Sequence, residues 1–120
     1  MLFDTTQLAL ERAISGASQR HNALAANIAN ASTPGYQRVD VDFHGALAAA
    51  LGSSDAKSAL QRTGFATQAD STVGPTQADG NSIDIDNESA KLAANALEQE
   101  AAVSVAKSRN AILRAAMGVS

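Results

Sequence analysis

Two stretches of this chain repeat apolar or small residues at alternating steps of four and three. One runs Leu10, Ile14, Ala17, His21, Leu24, Ile28, Ala31; the other runs Ile85, Ser89, Leu92, Ala96, Gln99, Val103, Ala106, Asn110, Leu113, Met117. This is the heptad spacing of a helical seam. The first helix is expected over 4–31, capped by Asp4 or Thr5, and the second over 85–117. At 1.5 Å per residue the first spans roughly 40 Å. A helix that long with one narrow apolar stripe needs a partner, and the other terminal segment supplies one. The expected fold is mainly α, with two long terminal helices pairing as an antiparallel coiled-coil-like hairpin. Ile14, Leu24 and Ile28 on the first helix, and Leu92, Val103 and Leu113 on the second, are the expected packing residues within and between subunits. Charge agrees with the second helix: Asp84, Asp86 and Glu88 crowd its start, while Lys107, Arg109 and Arg114 crowd its end, as the helix dipole favours. Alanine-rich positions and the polar Gln99 and Asn110 make an isolated hairpin weak, and polar seam groups set register more than they add stability.

The first helix is closed by a turn written in specific residue types. Asn30 propagates a helix poorly and suits its end, and Pro34 cannot continue one. Thr33-Pro34-Gly35-Tyr36 fits a type II turn, with proline setting φ at the second position and glycine supplying positive φ at the third. Beyond it, Arg38 to Phe43 alternates charged and apolar residues, which predicts a short extended segment with Val39, Val41 and Phe43 on one side. A brief helix is expected at 44–51. Residues 52–78 hold turn formers, few large apolar residues and Pro75, without clear periodicity. That segment is either disordered or shaped by contacts with neighbours. The chain therefore reads as a single domain over 1–120: helix 4–31, an irregular middle over 32–84, helix 85–117.

Composition narrows the function classes. In 120 residues with 3% aromatic content, the core is limited to Ala, Leu, Ile and Val packing. No cysteine is present, which excludes disulfides and thiolate chemistry. A net charge of −3 without a basic cluster argues against nucleic acid as a partner. The longest apolar runs fall far short of about 20 residues, so no direct membrane insertion is expected. Met1-Leu2-Phe3-Asp4 lacks the basic-then-apolar opening of a cleaved export signal.

Catalysis is poorly supported. His21 has Ala17, Ser18, Leu24 and Ala25 at helical neighbour positions, and Ser18 alone does not make a nucleophile pair. A packed or subunit-contacting histidine is the better reading. His44, beside Gly45, reads as a surface or interface residue. The acidic run Asp79 to Glu88 invites a calcium reading, yet with Asp84, Asp86 and Glu88 as the first, third and fifth ligands the required glycine is Ser89 and the twelfth-position glutamate is Asn95. No enzyme activity, cofactor or metal is expected.

A resemblance adds to this reading. Asn27-Ile28-Ala29-Asn30 followed by Thr33-Pro34-Gly35-Tyr36, near residue 30 of a short chain, resembles the N-terminal signature of bacterial flagellar axial proteins, the rod and hook families. Asp79-Gly80-Asn81-Ser82-Ile83-Asp84-Ile85-Asp86-Asn87-Glu88, leading into Ala90 to Leu97, is similar to the segment that opens the C-terminal helix of a proximal rod protein in that family. The middle, residues 52–78, lacks a histidine-containing stretch common in relatives. The resemblance implies a structural subunit of the flagellar basal body, in the proximal rod outside the cytoplasmic membrane. It also implies type III export and assembly with itself, other rod proteins and basal-body proteins. The alternatives are another short axial subunit or a small helical adaptor or export chaperone.

Overall fold

The computed structural model describes residues 2–70 and 83–118. Among them the elements run α1 (Leu2–Ala29), β1 (Val39–Asp40), α2 (Phe43–Leu51), α3 (Ala56–Arg62), β2 (Gln68–Ala69) and α4 (Ile85–Ala116). None of these helices is long and apolar enough to cross a membrane.

The two long helices pair along their lengths in opposite directions. Asn27, near the end of α1, meets Glu88 in the first turn of α4, and Asn95, two turns on, reaches back to the Ala17 carbonyl at 2.8 Å. The face that α4 turns to α1 is marked by Glu88, Leu92, Asn95, Gln99, Val103, Ala106 and Leu113, all buried or half-buried. This frame shares Leu92, Gln99, Val103, Ala106 and Leu113 with the sequence periodicity. It differs at Ser89, Ala96, Asn110 and Met117, which are exposed, and Ile85 is half exposed at 50%. On α1, Ala17 and Leu24 are buried and Leu10, Ile14 and Ile28 half-buried, but His21 is exposed and does not pack within the chain. The seam is offset because buried Glu88 and Asn95 find polar partners across it, so chemistry that the heptad pattern discounts occupies inner positions.

The apolar core does not lie along the hairpin. It forms where α1 meets the middle layer, from buried Ala17, Ala23, Val41 and Phe43, with Val39, Leu47 and Phe65 packed against them. Leu24, Ala50, Leu60 and Ile83 are also buried. Gly16 lets α2 approach α1: a Cβ built there would lie 2.5 Å from the Phe43 Cβ.

Order in the middle comes from local caps. Asp42 accepts from the Gly45 N–H at 3.0 Å and starts α2; Asp55 accepts from the Ser58 N–H at 3.2 Å and starts α3. Within the stretch that showed no periodicity, α3 and β2 are therefore additions, too short for a periodic pattern to register. β1 and β2 pair antiparallel, Val39 with Ala69 and Asp40 with Gln68. Val41 and Phe43 are buried on one side as the alternation predicts, although Phe43 already belongs to α2.

Candidate functional site

Arg38 is the centre of the most constrained cluster. Only 2% exposed, its guanidinium donates from Nε to Glu88, from Nη1 to Asp70 and from Nη2 to Asp40, the last at 2.9 Å. Glu88 is equally buried, and Arg20 closes a fork on Asp40 at 2.9 and 3.3 Å. Three parts of the chain thus meet on one cation, β1, the residue after β2 and the first turn of α4, and α1 joins them through Arg20 on Asp40 and Asn27 on Glu88. Burial works against the charge on Arg38, but its hydrogen bonds to the Glu88 and Asp40 carboxylates more than offset it and hold its pKa above the ordinary value. Burial likewise pushes the Asp40 carboxyl up, and the opposing bonds from Arg20, the Val41 N–H and Arg38 outweigh it, leaving its pKa below the ordinary range.

The sign of the resulting pH dependence follows. A depressed folded-state pKa contributes stability above the unfolded value of about 4 and loses it as pH falls through the folded value. The urea midpoint should be level from pH 7 to about 5 and fall below about 4. Asp40→Asn should be less stable at pH 7 and show a shallower acid limb; equal slopes in the two proteins would remove Asp40 as a source of that limb.

Asn27, wholly buried, explains the first half of the turn signature. Its Oδ1 accepts the Val39 N–H at 3.0 Å, and its Nδ2 donates to the Val39 carbonyl at 2.7 Å and to Glu88 at 3.0 Å. A side-chain amide here replaces the backbone of a neighbouring strand, satisfying both main-chain groups of Val39 while linking it to α4. Asn30 does different work: its Nδ2 donates to the Ala26 carbonyl at 2.8 Å, and its Oδ1 accepts from the Thr33 hydroxyl at 3.2 Å, closing the end of α1. Ile28, between them, is half-buried.

The turn then reverses the chain. The Tyr36 N–H donates to the Thr33 carbonyl at 3.2 Å, and Gly35 has φ +75°, as a type II turn after Pro34 requires. Nothing lies within 4 Å of a Cβ built on Gly35, so substitution there meets backbone strain and no steric block. Gly35→Val should lose about 1–3 kcal/mol through that strain, measured by urea unfolding. A stability within 0.5 kcal/mol of the parent would mean the turn readily takes another form.

Asp84 caps α4, accepting from the Asp86 and Asn87 N–H groups at 3.0 and 3.3 Å, and Asp86 is exposed in the first turn. Glu88 leaves that set: it faces inward to Arg38 and Asn27. Gly80 and Asn81 lie outside the described residues. Sequence reasoning missed Arg38, Asp70, Arg20 and Asn95; the signal available was a lone arginine in an otherwise acidic and apolar alternation. His44 is exposed, with Nε2 2.7 Å from Glu98, so it ties α2 to α4 at the surface.

Arg20, Asp40, Asp42, His44 and Asp70 line a recess of about 270 Å³, in which the arginines already engage the Asp40 and Asp70 carboxylates. Among the described residues, no group of three or more His, Asp or Glu is placed to hold a metal ion. What the site does chemically is structural: it pins the exit of α1 and the start of α4 to one buried charge.

The turn that closes α1 is thus clamped to the opening of a C-terminal helix that runs back along the first. The family described as "Flagella basal body rod protein" matches residues 8–37, which include Asn27, Asn30 and the turn. The chain is 36% identical over 109 residues to the flagellar basal body rod protein FlgB of Escherichia coli K12, covering 78% of this chain and 79% of the relative. The FlgB of Proteus mirabilis strain HI4320 is 33% identical, covering 82% and 83%, and that of Aeromonas hydrophila 32%, covering 88% of each. The chain belongs to the FlgB family of flagellar basal body rod proteins.

Proposed function

We propose that this protein is a non-enzymatic structural subunit of the flagellar basal body, placed in the proximal rod and carrying torque as part of the drive shaft. The observation that supports this most is the similarity to FlgB relatives across about four-fifths of the chain, taken with the two long terminal helices that pair in opposite directions. The chain acts as one rod-type unit over 1–120. It assembles with other rod and basal-body proteins and with itself, is exported by the flagellum's own type III apparatus, and works outside the cytoplasmic membrane in the periplasmic space.

The mechanism is mechanical. Ile14, Leu24, Ile28, Leu92, Val103 and Leu113 pack the hairpin that subunits lay side by side. Asn27, Ile28, Asn30, Thr33, Pro34, Gly35 and Tyr36 set the direction in which the chain leaves α1. Asp84 and Asp86 open α4, and Glu88 ties its first turn to Asn27 and Arg38. Arg38 holds exit and return together, so strain on one helix passes to the other through a buried charge.

The test is motility and basal-body isolation from a strain lacking the gene, complemented by the intact chain or by one ending after Ala106. Loss of rods, restored only by the intact chain, is expected. Normal rods in the deletion strain would overturn the proposal.

A further inference from the structure

Two overlapping seams are written into α4. Leu92, Gln99, Ala106 and Leu113 recur every seven residues, and a row of residues flanks them on either side. Glu88, Asn95, Ala102 and Arg109 precede these in turn by four residues; Ser89, Ala96, Val103 and Asn110 precede them by three. The two rows stand about 100° apart around the helix, so seams built on one or the other differ by a roll of about 50°. The folded chain uses the first row. Glu88 and Asn95 are buried and Ala102 and Arg109 half-buried, whereas Ser89, Ala96 and Asn110 are exposed and Val103 is half-buried. On apolar area alone the second row is the better seam, since it turns Ala96 and Val103 inward where the first turns in a carboxylate and an amide.

We propose that Glu88 and Asn95 form a rotational lock, which holds α4 in the first setting against a rolled setting close to it in free energy. Each is held by groups that the roll would withdraw. Glu88 accepts from Arg38 Nε and, at 3.0 Å, from Asn27 Nδ2, while Asn95 Nδ2 donates to the Ala17 carbonyl at 2.8 Å. At about 5 Å from the axis, a 50° roll carries a side chain roughly 4 Å, which breaks all three bonds. The lock is also incomplete. Asn95 Oδ1 is buried without a hydrogen-bond partner, a cost that the first setting bears and the rolled one relieves by turning the amide to solvent. Rolling hides Ala96 and shows Glu88 and Asn95 on the surface, so the lock decides which chemistry α4 offers a partner. This goes beyond the rod-subunit reading and does not depend on it.

The chain has no cysteine, so one introduced thiol reports one position. Ala96→Cys and Ala102→Cys are made separately in the intact chain, with and without Glu88→Ala plus Asn95→Ala, and their rates of reaction with a small maleimide are measured. With the lock present, the thiol at 96 should react faster than the thiol at 102. Without it the order should reverse, each rate changing by at least about fivefold. A second route leaves the lock in place: Ser89→Leu with Ala96→Leu enlarges the unused seam and should speed labelling of Ala102→Cys. An unchanged order in the lock-free chain, or both thiols reacting fast because α4 has left α1, would overturn the proposal. If the lock-free chain loses its helical circular dichroism, the second route decides alone, and labelling of Ala102→Cys that the added leucines do not alter would overturn it.

Discussion

Replacing Arg38 with methionine should destabilise the chain by about 3–5 kcal/mol, the cost of removing one partner from a buried ion pair and leaving the other uncompensated. Glu88, 2% exposed, would retain only the Asn27 amide, and Asp70 and Asp40 would lose the cation between them. A loss of that size is a large share of the 5–15 kcal/mol typical of a whole domain. Urea unfolding followed by far-UV circular dichroism reads the total. Hydrogen exchange locates it, with protection expected to fall first in the opening turns of α4 and at Val39. Arg38→Met combined with Glu88→Leu should regain much of the loss, since two apolar side chains remove the stranded charge. If Arg38→Met alone stays within 0.5 kcal/mol of the parent, the cluster does not hold α4 in place.

Gly16→Val should be the second large effect, about 1–3 kcal/mol. Glycine inside a helix is normally a weakness, and replacing it commonly gains up to about 1 kcal/mol. Here the new Cβ would meet the Phe43 Cβ at 2.5 Å, an atom that no rotamer change moves, as well as its Cγ at 2.7 Å. The helices α1 and α2 must separate, loosening Val41, Phe43 and Ala17 in the core. Phe43→Ala measured with and without Gly16→Val gives the coupling directly, and contact of this kind should produce at least about 0.5 kcal/mol. Additive effects would mean that α1 and α2 shift apart at no cost.

Both predictions concern residues that periodicity could not rank. Gly16 sits one position before a seam alanine, and its need to lack a side chain comes from Phe43, which is 27 residues away in sequence. Arg38 reads from sequence as the charged member of an extended alternation, yet it is buried because Asp70 and Glu88 converge on it from 32 and 50 residues away. The heptad pattern favoured Ser89 and Ala96 over Glu88 and Asn95 because a carboxylate and an amide are costly inside unless paired. Their partners, Arg38, Asn27 and the Ala17 carbonyl, exist only once the chain has folded back.

What the sequence alone determined is what short-range physics controls. The lengths of α1 and α4 follow from sustained helical periodicity, the end of α1 from Asn30, and the reversal from Pro34 and Gly35, whose φ of +75° suits glycine. The start of α4 follows from the Asp84 cap. Tertiary structure decided which face each helix buries, where the core lies and which charges go inside. Those outcomes depend on groups tens of residues apart, whose pairing reverses the sign of a buried polar group's contribution, and no local window contains both partners.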